Sequence, residues 1–185
     1  MKYLALVVVL FVAGCSSSAP TLKQYLLRTD TPRQFILQDS NDVVGVGSIT
    51  VAPYIDVMGL VLETSSGEVR VARDHQWAEP LRDSLRSFLS SKISEDAGQA
   101  IRAYNYGKIN WTKRIDIHID ELHGTAGGDA KLVAYWILVD PSEREVLSEN
   151  GFYETEALSQ DGYEALVQAQ KKLLSRLASA IAATL

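Results

Sequence analysis

Three histidines and one cysteine are the side chains of this 185-residue chain best suited to catalysis or metal binding. His118 lies between Asp116 and Asp120, and because side chains alternate along a strand, all three would share one face. Such a face offers a general base and an orienting carboxylate for hydrolysis. No serine sits in the Gly-x-Ser-x-Gly turn that presents a nucleophile in many hydrolases. A solvated polar face is therefore the simpler interpretation, and a hydrolase that uses His118 is the alternative.

The histidines are too few and too scattered to predict a metal centre. A zinc site needs three or four converging ligands. His118 and His123 are five residues apart on a strand that runs into a turn, so their side chains are predicted to point to opposite faces. We therefore predict no metal site and no bound cofactor.

The residues before the cysteine predict its chemistry. Lys2 gives a basic start, residues 4–13 are apolar, and Val12-Ala13-Gly14 precede Cys15. This is the pattern of a secretory signal peptide, and the apolar run is too short to span a bilayer. The aliphatic-small-Gly-Cys ending resembles the lipobox of bacterial lipoproteins. That resemblance implies a diacylglycerol on the Cys15 thiol and, after cleavage, an N-acyl chain. Ser16 in place of Asp favours the outer membrane in such lipoproteins.

Composition and boundaries predict a single anchored domain. Residues 1–14 form the signal peptide, residues 15–22 a lipidated flexible tether and residues 23–185 one domain large enough for a sizeable core. The 18 Lys and Arg against 23 Asp and Glu give a net charge of −5, without the dense basic patch expected of a nucleic-acid-binding protein. With one cysteine, no disulfide can form within the chain.

The periodicity of apolar residues predicts an α+β fold. Alternation indicates strands over residues 43–53 and 113–122, and continuous apolar character indicates a central strand over 131–140. Residues 113–157 read as an antiparallel meander. Helical spacing predicts helices over 79–94 and 160–183, the second capped by Ser159. We expect a two-layer sandwich: a mixed, mostly antiparallel sheet with two main helices packed on it.

Residues 54–62 are apolar, yet Asp56 and Gly59 interrupt any clean strand. The segment is either a buried strand or a contact surface, since large exposed apolar patches mark partner contacts. We favour a subunit interface. Its candidate residues are Tyr54, Ile55, Val57, Met58 and Leu60.

Four segments follow the lipobox in order. They are Tyr25-Leu26-Leu27; Val51-Ala52-Pro53-Tyr54-Ile55 at the end of a strand; Trp77-Ala78-Glu79-Pro80-Leu81 at the start of a helix; and Ser159-Gln160-Asp161-Gly162-Tyr163 at the start of the last helix. This order resembles that of one family, the ABC-type transport auxiliary lipoproteins.

The resemblance implies a structural component that is not an enzyme, since the family offers no catalytic motif to carry over. Such lipoproteins assemble as homo-oligomeric rings at the outer membrane, in contact with its lipids. They are partners of MCE-domain proteins, which build tunnels for lipids across the periplasm. Pro53, Tyr54, Trp77, Pro80 and Leu81 would be fold and interface positions, and Trp77 joins the candidate interface residues. An assembly lipoprotein of another envelope machine is the alternative within this class.

Overall fold

The structure is a computed structural model that describes residues 21–29, 43–65, 67–104 and 111–185. The elements are β1 (Lys23–Tyr25), β2 (Val44–Val51), β3 (Gly59–Ser65), β4 (Glu68–Trp77), α1 (Leu81–Ala97), β5 (Ile101–Arg102), β6 (Lys113–Gly124), β7 (Asp129–Asp140), β8 (Glu145–Ala157) and α2 (Tyr163–Ala182). The α+β class with two main helices is confirmed.

One mixed sheet contains all eight described strands, with β6 at its centre. Four of the seven pairings among these strands are parallel: β1 with β4, β2 with β5, and both β2 and β3 with β6. The expectation of a mostly antiparallel sheet is therefore wrong. The parallel pairs join strands far apart in sequence, such as Val44 beside Lys113, and no local pattern specifies their direction.

The antiparallel pairings are β3 with β4, β6 with β7, and β7 with β8. The last two form the predicted meander over residues 113–157. Short turns connect these strands, and the sequence marks such turns with glycine, proline and serine. Among the described strands, β8 pairs only with β7 and so lies at an edge of the sheet.

Both helices cover one face of the sheet and contact each other. On that face, β6 buries Ile115, Ile117 and Ile119 in a single core with the apolar sides of α1 and α2. Burying one such side chain contributes about 1.5–3 kcal/mol. The core includes Leu85, Phe88, Leu89 and Ile93 of α1 and Leu166, Leu173, Leu174, Leu177 and Ile181 of α2.

The helix ends differ from the predicted ones by a few residues. Pro80 precedes α1, and its carbonyl accepts hydrogen bonds from the backbone N–H groups of Asp83 and Ser84. Gly162, with φ 115°, is the N-cap of α2, and no side chain caps it. The prediction that Ser159 caps this helix is therefore wrong. The left-handed backbone that glycine tolerates at this position sets the start of the helix instead.

A bulge in β2 lies at Gly47. The register of β2 against β6 shifts between Val46 and Ile49. Arg86 lies on α1, and its Nη1 donates hydrogen bonds to the carbonyls of Val46 at 2.8 Å and Gly47 at 2.7 Å. A Cβ on Gly47 would lie 2.4 Å from Oδ1 of Asp116. Only glycine therefore fits at this position without a shift of its neighbours.

Candidate functional site

Cys15, the predicted lipidation site, lies outside the described residues. The described chain enters the domain through Thr21 and Leu22, directly before β1. Leu22 and Leu26 are about half exposed, at 50% and 54%. The first strand is therefore the part of the described domain nearest in sequence to the predicted anchor.

An aromatic cluster forms beside this first strand. The Tyr25 hydroxyl lies 2.8 Å from Nδ1 of His75 on β4. The His75 ring stacks on Tyr163, the first residue of α2, with ring centroids 4.1 Å apart. Burial raises the pKa of Tyr25, and the charge of Glu164 adds to the effect. The phenol therefore keeps its proton at neutral pH. The cluster fixes the start of α2 against β1 and β4.

The segment that contains Trp77 converges on the same region. The backbone N–H of Trp77 donates to the carbonyl of Met58 at 2.7 Å, and that of Ala78 donates to the carbonyl of Tyr25 at 2.8 Å. Glu79 forms an ion pair with Arg28. Trp77 itself is only 3% exposed. This candidate interface residue therefore belongs to the core of its own chain and offers no free surface.

Two further candidate interface residues are also buried. Ile55 and Leu60 are each 1% exposed and belong to the same core. The features that interrupt the strand pattern have structural causes instead. Asp56 forms an ion pair with Arg82 of α1, and a Cβ on Gly59 would lie 2.3 Å from the carbonyl oxygen of Ala72. In this conformation neither Ile55 nor Leu60 can contact a partner.

Three candidate residues keep accessible surface. Tyr54 and Val57 are half-buried, and Met58 is 38% exposed. They lie in the turn that connects β2 to β3. The interface hypothesis stays a prediction, and it narrows to Tyr54, Val57 and Met58, which we call the β2–β3 turn surface.

A buried network of charges lies beside Tyr54. His123 is 4% exposed, with Nε2 2.9 Å from a Glu121 carboxylate oxygen and Nδ1 3.0 Å from the carbonyl of Gly124. Both neighbours are acceptors, so the ring donates a hydrogen bond to at least one of them. Lys131 contacts the same carboxylate at 2.7 Å.

Electrostatics in this network follow from burial and pairing. Desolvation acts to raise the pKa of Glu121, but the hydrogen bonds from Lys131 and His123 outweigh it, so the net pKa is lowered. Burial, with the charge of Glu121, raises the pKa of Tyr54 to about 12. The Tyr54 ring packs edge-on to His123, with centroids 6.1 Å apart. The sequence did not indicate this network.

The prediction that His118 and His123 face opposite ways is wrong. A register shift between Ile119 and Glu121 inserts an extra residue into β6. His118 pairs with Tyr135 and His123 with Lys131, so both lie on the sheet face away from the helices. Across the described ranges, no three His, Cys, Asp or Glu residues are placed to hold a metal ion.

The surroundings of His118 fall short of a catalytic arrangement. Nδ1 of His118 lies 2.8 Å from the Thr50 hydroxyl, but Nε2 lies 3.7 Å from Asp120, beyond hydrogen-bond range. Asp116 is occupied, because it accepts from the N–H of Ser48 at 2.7 Å and pairs with Arg114 at 2.8 Å. His118 thus has no carboxylate that orients its ring, as a catalytic triad requires.

Similar solved structures define the fold of the chain. A crystal structure of an uncharacterized protein matches 89% of this chain and 98% of its own length, with a TM-score of 0.75 and 21% identity. A protein from Xanthomonas campestris matches 88% of this chain and 90% of its own length, with a TM-score of 0.65 and 18% identity. The chain therefore shares the fold of these proteins.

The chain belongs to the family of ABC-type transport auxiliary lipoprotein components, whose model matches residues 25–182. It is 26% identical to the intermembrane transport lipoprotein PqiC of Escherichia coli K12, over 98% of this chain and 95% of the relative. The same identity and coverage hold for PqiC of Shigella flexneri. Within the described residues, neither helix has the length and apolar character needed to cross a membrane. The family resemblance drawn from the Trp77 and Tyr163 segments is confirmed.

Proposed function

We propose that this chain is a lipid-anchored structural component of an MCE-type intermembrane lipid transport system. The observation that carries this proposal is the similarity to PqiC over 98% of the chain, together with the family match over residues 25–182. The aromatic cluster of Tyr25, His75 and Tyr163 supports it, because the segments typical of the family meet there.

The proposed mechanism is docking at the outer membrane. The diacylglycerol and N-acyl chain on Cys15 fix the chain to the inner leaflet, and the domain faces the periplasm. Several acyl chains anchor a protein far more durably than one. An extended segment from Cys15 to Leu22 spans at most about 25 Å, which keeps the domain close to the headgroups. The expected partner is a PqiB-like MCE-domain tunnel protein, which meets a ring of these domains.

Two surfaces support assembly into a ring. The β2–β3 turn surface exposes Met58, as described above. The 13-residue β8 lies at the edge of the described sheet and exposes Val146, Leu147 and Tyr153. Its unpaired backbone groups suit a further strand or a neighbouring subunit.

The proposal is tested by crosslinking in intact envelopes. The tagged lipoprotein is captured after crosslinking, and bound proteins are identified by mass spectrometry. We expect an MCE-domain protein among them. A Cys15→Ala variant is the control for anchoring: it should lose palmitate labelling and leave the outer-membrane fraction. Capture without any MCE-domain protein, or a Cys15→Ala variant that still labels and fractionates normally, contradicts the proposal.

A further inference from the structure

A groove of about 330 Å³ lies where α1, α2 and the segment after β1 meet. Phe88, which is 3% exposed, contributes an apolar side chain to its wall. Thr29 holds the segment after β1 against α1, because its hydroxyl lies 3.4 Å from that of Ser91. The groove therefore has walls from three packed parts of the chain. Its volume is at the lower end of the range for small-ligand sites.

The lining of the groove is strongly cationic. Arg28, Lys92, Lys171 and Lys172 line it, and Glu95 is the one acidic residue in the described part of the lining. This local excess of positive charge is opposite in sign to the net charge of the chain, which is −5. A cleft lined by one sign of charge concentrates ligands of the other sign.

Three of the four cations have ion-pair partners. Lys92 lies 2.7 Å from Glu95, Lys172 lies 2.9 Å from Glu156 on β8, and Arg28 pairs with Glu79. The half-buried Lys171 forms no ion pair with any residue in the described part of the chain. A lysine without a counter-charge gains more from an anion in the groove than one that is already paired.

The chemistry of the lining selects an anion with several oxygen acceptors. Lysine ammonium and arginine guanidinium groups are the usual ligands of phosphate oxygens. The aliphatic stems of Lys92 and Lys171 offer an apolar contact beside these charges. A phosphate ester has both parts, a charged phosphate and a carbon-bearing substituent.

The groove lies near the predicted anchor along the chain. Leu22 and Arg28 are six positions apart in the sequence, so at most about 20 Å of fully extended chain separates them. A tether from Cys15 adds about 25 Å. Both lengths are short enough for the groove to reach the headgroup layer of the membrane to which the chain is attached.

We propose that the groove between α1 and α2 binds the phosphate ester of an anionic phospholipid headgroup. This inference rests on the proposed transport function for the source of the phosphate, since a lipid transport component meets phospholipid. Arg28, Lys92 and Lys171 bind the phosphate oxygens, and the aliphatic stems of the two lysines contact the glycerol carbons.

The test uses the full-length acylated protein in detergent, with its lysines reductively ¹³C-methylated and followed by NMR. Methylation keeps the positive charge. The probes are dihexanoyl phosphatidylglycerol, dihexanoyl phosphatidylcholine and glycerol 3-phosphate. We expect saturable shifts of the Lys92 and Lys171 signals with phosphatidylglycerol, and weaker binding of the other two. In unmethylated protein, calorimetry should show about tenfold weaker phosphatidylglycerol binding for Lys171→Gln.

Arg70→Gln is the matched control. It makes the same change in net charge at an exposed residue of β4, outside the groove lining, and should alter the affinity less than about twofold. Absence of saturable shifts in the groove lysines overturns the proposal. Equal affinity of Lys171→Gln and the natural chain also overturns it. If glycerol 3-phosphate binds as tightly as phosphatidylglycerol, the ligand is a soluble phosphate ester and the headgroup proposal is overturned.

The crosslinking experiment separates this proposal from the proposed function. If phosphatidylglycerol binds in the groove but no MCE-domain protein is captured, the groove proposal is supported and the proposed transport function is contradicted. If the MCE-domain protein is captured but phosphatidylglycerol does not bind, only the groove proposal is contradicted.

Discussion

The two faces of β6 differ in burial and therefore in what they contribute to the protein. Ile115, Ile117 and Ile119 point toward the helices and are at most 2% exposed. On the opposite face, the side chains of His118 and Asp120 are 45% and 50% exposed. The helix-covered face stabilises the fold by burial, whereas the open face is held by polar pairs and leaves surface for solvent or a partner. A docking function is therefore best sought on the open face and at the sheet edges.

The largest expected effect comes from the helix-covered face. Ile117→Ala removes methylene groups from a side chain that is 2% exposed, in the centre of the core. We expect the free energy of unfolding to fall by about 2–5 kcal/mol, since the transfer free energy is lost and a cavity remains. Urea unfolding followed by circular dichroism measures this. A loss below about 1 kcal/mol would show that the face is less tightly packed than the structure indicates.

The next largest effect tests whether the open face also contributes to stability. Glu121→Gln weakens the acceptor that His123 and Lys131 share, and His123 is buried. We expect a loss of about 1–3 kcal/mol in the free energy of unfolding at pH 7. His123→Gln, which removes only one of the two donors, is the comparison variant and should cost less.

The same carboxylate predicts a pH dependence. The folded-state pKa of Glu121 lies below its ordinary value of 4.5, so its stabilising contribution is present above that pH. The contribution is lost as the pH falls from 4.5 through the lowered pKa. The natural chain should therefore lose more stability on acidification through this range than Glu121→Gln does. Parallel pH profiles of the two proteins would contradict the assignment.

A structural feature can be predicted from the sequence when the residues that determine it are close together along the chain. The alternation over residues 113–122 predicted β6 and its two faces, because the period of two is local. It missed the bulge after Ile119, which turns His123 to the face of His118. A bulge adds one residue without any clear mark in the sequence.

The candidate site shows the same limit. Cys15 follows from a local motif, and it remains a prediction. Among the candidate interface residues, burial separates Leu60, at 1% exposed, from Met58, at 38%. Burial depends on packing between residues far apart in the sequence, which no local pattern reveals. The groove was not predicted, because its cations come from positions as far apart as Arg28, Lys92 and Lys171.

A smaller effect on folding is expected on the β2–β3 turn surface. Met58→Asp changes a side chain that is 38% exposed, so the free energy of unfolding should change by no more than about 0.5 kcal/mol. If the turn is a subunit contact, the uncompensated charge costs several kcal/mol in the assembly, enough to dissociate an oligomer of ordinary affinity.

Size-exclusion chromatography with light scattering should therefore show a folded species of lower order. Leu60→Asp is the contrasting variant, and it should unfold the chain because Leu60 is 1% exposed. An unchanged oligomer in Met58→Asp would place this turn outside the interface. A molten or insoluble Met58→Asp protein would show that the turn belongs to the core.

The smallest effect is expected one residue from the largest. His118→Ala removes a side chain that is 45% exposed, whose contacts are the Thr50 hydroxyl and a carboxylate 3.7 Å away. Such a surface change alters the free energy of unfolding by about 0.5 kcal/mol or less. Because no carboxylate orients the ring, the variant should also complement a deletion strain fully in an envelope-stress assay. Complementation is measured at equal protein levels beside Ile117→Ala, which should fail through low abundance. If His118→Ala fails to complement while the protein is folded and abundant, His118 has a catalytic role. The open face would then be a candidate active site as well as a surface for solvent or a partner.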